Sequence, residues 1–301
     1  MELYEAHDVD GGARPIASLG PDYVCLCVDQ EDPTQALAAN APGEGTEASF
    51  APMPEMRRDV AVHLHVVGAS GSGKSTFANE YAKAFKRELS TPDQEAVVCV
   101  ISADSAEDPN MPDVDVRLAI DAGLGDYELE KFKQGEEARP VLIIMDDVEG
   151  LNPSLTKAFR TFEQAVVERG RKMGIHSISI YHRGAANKST AVSLGEATGF
   201  VVFPGSLTAN TSYMLTKYAG LAPEIISLIR RGGWGRWLMV VPGEYLLGEK
   251  KAAILDAAQL GALAKAEKKR MNAEAVKALQ DEGGGGTSHM ALDQLLAMRI
   301  S

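Results

Sequence analysis

The sequence predicts an α/β fold built on a mostly parallel sheet, and three observations carry that expectation. From residue 60 onward, apolar runs of strand length alternate with stretches of helical periodicity, the pattern of repeated strand–helix–strand units. One run, VAVHLHVV at 60–67, leads straight into a glycine-rich turn and then into helix-compatible sequence. Another, VLIIMD at 141–146, ends on adjacent carboxylates.

In chain order, residues 1–59 read as an acidic arm. They hold 12 Asp/Glu against three Lys/Arg, a balance of −9 within a total of −12, so the remaining chain is close to neutral. The arm contains one apolar run, DYVCLCVD (22–29), expected as a strand or docking segment. AANAPGEGTEASFAPMPE (38–55), rich in Ala, Pro and Gly, reads as a flexible linker. The core is expected over 60–250. Its strands are placed at 60–67, 96–103, 141–146, 176–181, 199–204 and 236–242, and its helices at 74–89, 153–171 and 211–231. Residues 251–282, with Ala and Leu recurring among Lys and Glu, predict a C-terminal helix. A Gly linker and a short amphipathic helix follow over 283–301.

Composition excludes several classes. With 45% hydrophobic and 24% charged residues, the chain has the balance of an ordinary globular protein. No stretch approaches the roughly 20 apolar residues of a membrane span. The start, MELYEAHDVD, has neither a basic nor an apolar run, so no secretory signal is expected. Cys25-x-Cys27 lacks CxxC spacing, and with Cys99 the odd count points to reduced thiols.

The turn after the 60–67 run is Gly68-Ala69-Ser70-Gly71-Ser72-Gly73-Lys74-Ser75-Thr76, a match to GxxxxGK[ST]. Bare glycines let backbone N–H groups turn inward around a phosphate chain. The following helix adds its positive dipole end. In this pattern Lys74 reaches the β- and γ-oxygens and the Ser75 hydroxyl ligates Mg²⁺. The second acidic position falls at the end of the 141–146 strand. There Asp146 would hold Mg²⁺ and Asp147 would polarise the attacking water, with Glu149 as the rival for that role.

Between Lys74 and Asp146 there is room for a helix, the AVVCVISA run and more, which favours P-loop proteins carrying an additional strand between the loop strand and the Asp strand. Asn187-Lys188-Ser189-Thr190 begins like the guanine-reading NKxD but lacks its carboxylate, so ATP is the expected nucleotide. No LSGGQ occurs, which argues against a transporter ATPase.

The chain resembles the FtsK/HerA superfamily, and within it the genome-packaging ATPases of poxvirus-like large DNA viruses and membrane-containing icosahedral viruses. The resemblance covers residues 60 to about 250. It rests on the 68–75 loop, IIMDD, ERGRKMGIHSISIYH, GFVVFPGS and YMLTKYAGLAPEIISLIRRGGWGRWLMVV. The family has Arg-His where this chain has Arg171-Lys172, and Gln where it has His182. The resemblance implies a homo-oligomeric ring with ATP between neighbours, moving double-stranded DNA through phosphate contacts without reading bases. It implies an arginine finger at Arg171, with Arg169 as the alternative, and a γ-phosphate sensor at His182. It also implies capsid or portal-vertex partners, in the host cytoplasm or the virion.

DNA contacts are expected from Arg183, Lys188, Lys265, Lys268, Lys269 and Arg270. WGRW (234–237) reads as core packing on a strand rather than base stacking, and His63 and His65 as strand residues rather than ligands. Two rivals stand beside the motor. A small-molecule kinase would use a lid bearing Arg230 and Arg231, and a remodelling ATPase would never thread DNA.

Overall fold

A computed structural model of the chain describes residues 2–5, 13–19, 24–29, 38–40, 49–54, 61–103, 108–132, 139–146, 148–184, 191–255 and 269. The chain divides into two units, Met1–Asp256 and Ala257–Ser301. Of the second, only Lys269, helical and exposed, is among the described residues, and every described strand lies in the first.

Among the described residues five strands precede the glycine-rich turn's own strand: β1 (Glu2–Glu5), β2 (Ala13–Leu19), β3 (Val24–Asp29), β4 (Ala38–Asn40) and β5 (Phe50–Pro52). Four of them form an antiparallel sheet in the order β1-β3-β2-β5. This corrects the expectation of one strand and a linker. The runs were hidden because they are short and broken. In β2, ARPIASL carries a proline, and the ladder tolerates it at an irregularity between Pro15 and Ala17. Nor does packing stop at residue 59. The Phe50 N–H donates to Glu249 O at 2.7 Å, and Phe50, Ile16 and Ala17 join the main core.

Among the described residues the main sheet has ten strands. After β6 (His63–Val67) and α1 (Lys74–Leu89) come β7 (Val97–Ser102), β8 (Val116–Ala119), β9 (Val141–Asp146), α2 (Pro153–Arg169) and β10 (Ile175–Tyr181). Then follow α3 (Ala191–Gly195), β11 (Gly199–Val202), α4 (Ala209–Tyr218), α5 (Pro223–Arg230), β12 (Leu238–Val241), β13 (Tyr245–Gly248) and β14 (Lys251–Ile254). The order is β4-β14-β13-β12-β11-β6-β10-β9-β7-β8. Pairings from β11 through β8 are parallel, and those from β11 out to β4 are antiparallel.

The fold is thus the additional-strand P-loop type. The strand inserted between the loop strand β6 and the Asp146 strand β9 is β10, the HSISIY segment. AVVCVIS, which lies between them in sequence, pairs on the far side of β9 as β7.

Strand alternation explains the layering. In β6 and β10, Leu64, Val66, Ile178 and Ile180 point to one face and meet α1, whose Phe77, Tyr81, Phe85 and Leu89 recur every fourth residue. Truncating a ring so deeply buried, Phe85→Ala for instance, costs about 3–5 kcal/mol. His63, His65, Ser177, Ser179 and Tyr181 occupy the opposite face, and there Tyr181 meets α2. Asn152 starts α2 by accepting the Leu155 N–H at 3.0 Å, with Pro153 at the first helical position.

Three further expectations shift. The 211–231 helix is two helices, broken at Gly220 (φ 68°) and restarted by Pro223. WGRW lies on a turn before β12, because Gly232, Gly233 and Gly235 all take positive φ; both tryptophans are nonetheless buried. The helix expected from 251 begins as β14, since a turn at Glu249–Lys250 folds Lys251–Ile254 back onto β13. The remainder of that expected helix and the 283–301 tail lie outside the described residues, apart from Lys269.

Candidate functional site

The glycine-rich turn sits where β6 ends and α1 begins. Gly71 and Gly73 have φ of 74° and 101°, a region that a side chain disfavours. Gly68 is needed for space: a Cβ there would come within 2.6 Å of Phe203 Cδ2 and 2.5 Å of Ser72 Oγ. Gly73 caps α1 with no side-chain hydrogen bond, and the first turn holds no acidic residue. The helix's first N–H groups and its positive dipole end therefore face the turn without an internal anion.

Lys74 is buried at 6% exposure and folds back into the loop. Its ammonium donates to Gly68 O and Ala69 O, each at 2.9 Å, and lies 3.2 Å from His182 Nδ1. Burial lowers its pKa, opposed by the negative charges of Asp146 and Glu149. A desolvated cation held by neutral carbonyls is poised for an anion, and a phosphate chain fits that need.

The Ser75 hydroxyl donates to Asp146 Oδ2 at 3.3 Å, joining the start of α1 to the end of β9. A hydroxyl and a carboxylate so paired are hard oxygen donors suited to Mg²⁺ alongside phosphate and water. Among the described residues no cluster of three His, Cys, Asp or Glu could hold a metal alone. From the turn after β9, Glu149 reaches across to the end of β10. It accepts the N–H of His182 at 3.2 Å and that of Arg183 at 3.3 Å.

The structure therefore brings Gly68 to Thr76, Asp146, Glu149 and His182 to one end of the parallel strands. Asp147 lies outside the described residues, as does the side chain of Arg171, whose backbone is in a turn of 3-10 helix after α2. Arg169 is exposed in the last turn of α2. Arg183 is exposed at the site, while Lys188, Lys265, Lys268 and Arg270 lie outside the described residues. Arg230, considered for a kinase lid, instead donates to Ser212 Oγ of α4 at 2.8 Å. His63 Nδ1 lies 2.8 Å from Ser177 Oγ on the next strand.

Sequence reasoning missed a buried polar cluster beneath the site. Tyr181 Oη donates to Glu163 Oε1 at 2.5 Å. Arg160 donates to Glu163 Oε2 at 2.6 Å and to Tyr181 Oη at 2.7 Å. His65 stacks on Tyr181 with ring centroids 4.7 Å apart. Burial, and secondarily Arg160, lowers the His65 pKa to about 3. The Tyr181 carbonyl accepts the Gly68 N–H at 3.2 Å, so this cluster adjoins the loop. A signal was present: Glu163 falls four residues after Phe159 and four before Val167, on the apolar stripe of α2.

No protein-family model matches the chain. Uncharacterized protein V3 of Sputnik virophage is 27% identical over 201 residues, spanning 65% of this chain and 77% of V3. Among solved structures, the conjugation coupling protein TcpA of pCW3 with ATPγS is similar at a TM-score of 0.43 and 14% identity, over 84% of this chain and 82% of TcpA. The genome packaging NTPase B204 of Sulfolobus turreted icosahedral virus 2 is similar at 0.39 and 13%, over 61% and 92% of the two chains. The Type VII secretion ATPase EccC of Thermomonospora curvata is similar at 0.47 and 15%, over 81% of this chain and 28% of EccC's cytoplasmic domain. No helix among the described residues is long and apolar enough to cross a membrane.

Proposed function

We propose that the chain hydrolyses ATP to drive double-stranded DNA through a ring of its own copies, as a viral genome-packaging motor. One observation supports the catalytic half most directly. The adjacent loop residues Lys74 and Ser75 each reach a residue at a strand end, Lys74 Nζ lying 3.2 Å from His182 Nδ1 and Ser75 Oγ 3.3 Å from Asp146 Oδ2. Support for the DNA half comes from the sequence resemblance over 60–250, and the virophage relative supports a viral setting.

In this reading the backbone of Gly68–Thr76 cradles the phosphates. Lys74 exchanges its loop carbonyls for phosphate oxygens. Ser75 and Asp146 hold Mg²⁺, which when bound neutralises charge on the phosphates. Asp147 polarises the water. Both oxygens of Glu149 already accept backbone N–H groups, which suits it to holding the end of β10 in place. His182 senses the γ-phosphate through its place beside Lys74, and Arg171 reaches the neighbouring subunit's nucleotide. Arg183, Lys188 and the basic residues near 265–270 meet the DNA backbone, and the two ends of the chain dock on the capsid or portal vertex.

The test is displacement of a triplex-forming oligonucleotide from linear duplex DNA. Release with ATP, and none with ATPγS or with Lys74→Ala, is the expected outcome. Hydrolysis without displacement would assign the chain to remodelling ATPases instead.

A further inference from the structure

We propose that Tyr181, Glu163 and Arg160 are positioning residues, whose buried hydrogen-bonded triangle fixes the end of β10 and so sets His182 against the terminal phosphate. The proposal rests on the reading above of Lys74 as a phosphate ligand and His182 as the sensor.

The end of β10 needs an anchor. On the β6 side its ladder runs on to the pair Tyr181–Val67, but on the β9 side pairing stops earlier, at Ser179–Met145. Past that point Glu149 stands in for the ladder by accepting the N–H groups of His182 and Arg183. Such backbone bonds restrain a strand within the plane of its sheet. The Tyr181 side chain, standing on the face that meets α2, restrains it against the helix.

The triangle is closed. Tyr181 Oη donates to Glu163 Oε1, while Arg160 donates to Glu163 Oε2 and to Tyr181 Oη, at 2.5, 2.6 and 2.7 Å. Each carboxylate oxygen has its own donor, and the phenol both gives and accepts. Tyr181 and Glu163 are each 2% exposed, so water does not compete for these bonds. The Arg160 guanidinium also lies 5.4 Å from the centre of the Tyr181 ring, on which His65 stacks.

Stability alone does not account for this arrangement. A buried carboxylate–guanidinium pair costs desolvation that its attraction only roughly offsets, and apolar side chains in its place are often as stable. A fully satisfied polar network instead specifies geometry, because displacement leaves a buried charge without its partner. The geometry so fixed lies beside the loop. The Tyr181 carbonyl accepts the Gly68 N–H at 3.2 Å, and His182, the next residue, places Nδ1 3.2 Å from Lys74 Nζ. Tyr181 thus ties α2, the phosphate loop and the sensor together.

The full-length protein is assayed for ATP hydrolysis and, by calorimetry, for binding of Mg-ATPγS and Mg-ADP. A sensor of the terminal phosphate distinguishes these two ligands, whereas a general loss of stability does not. Tyr181→Phe and Glu163→Gln should each lower kcat about tenfold or more and leave KM within about twofold. Each should cut the preference for ATPγS over ADP about fivefold or more, with ADP affinity held. The double variant should do no more than either single one, because the residues act as a unit. Ile229→Val, a buried change on α5 outside the triangle, controls for lost stability and should leave both readouts unchanged. The proposal is overturned if the folded variants keep wild-type kcat, or if their ATPγS preference is unchanged. Where Tyr181→Phe does not fold, Glu163→Gln, which keeps the shape of its side chain, decides. His182→Ala separates the two readings. If that variant keeps the ATPγS preference, or wild type hydrolyses no ATP, the sensor reading fails first and the positioning role falls with it.

Discussion

His65 gives the structure a defined acid sensitivity. The ring is 2% exposed, stacked on Tyr181, and its Nδ1 has no hydrogen-bond partner among the described residues. Its pKa falls from 6.5 to about 3, through burial first and Arg160 second. The folded state therefore keeps the ring neutral where the unfolded chain protonates it. Stability is fully present above 6.5 and drains as pH falls from there toward about 3. At about 1.36 kcal/mol per unit, the loss between pH 7 and pH 5 is about 2 kcal/mol. That is a large share of a typical folding free energy of about 5–15 kcal/mol. His65→Phe keeps a ring against Tyr181 and removes the titration, while other groups cancel in the comparison. Urea unfolding of both proteins at pH 7 and pH 5 measures the effect. Wild type should lose about 2 kcal/mol more than the variant over that interval. Equal losses would refute the claim that His65 is held neutral by burial.

Three other outcomes follow from the same geometry. Tyr181→Phe leaves Glu163 Oε1 without its buried donor, so denaturant unfolding should show a loss of about 1–3 kcal/mol. Gly73→Ala has room, its nearest contact being Phe203 Cε1 at 3.7 Å, but φ of 101° strains any side chain. It should cost about 1–3 kcal/mol and weaken ATP binding, read by thermal shift with and without nucleotide. If Arg171 acts in trans, Lys74→Ala and Arg171→Ala should each be inactive alone, yet regain part of the hydrolysis rate when mixed. Mixtures as inactive as the separate proteins would remove Arg171 from the neighbour's site.

The main sheet was legible because its central strands are buried on both faces and read as unbroken apolar runs, VLIIMD above all. The loop was legible because phosphate binding requires particular residues at particular spacing. Reading failed where partners set the structure. The β2 and β5 segments contain proline and gain strand character by pairing, β2 with both β3 and β5. Lys251–Ile254 looks helical by composition and becomes a strand because β13 lies beside it. In the site, Lys74, Ser75, Asp146 and Glu149 could be named from spacing. Arg160 and Tyr181 could not, since they meet only when α2 packs on β10.

The central claim, an ATPase working on DNA, is tested most directly by ATP hydrolysis of the purified full-length protein with and without linear double-stranded DNA, beside Lys74→Ala. The account predicts a rate that rises strongly with DNA and is absent in the variant. A rate indifferent to DNA, or phosphate transferred to a small acceptor rather than to water, would contradict it.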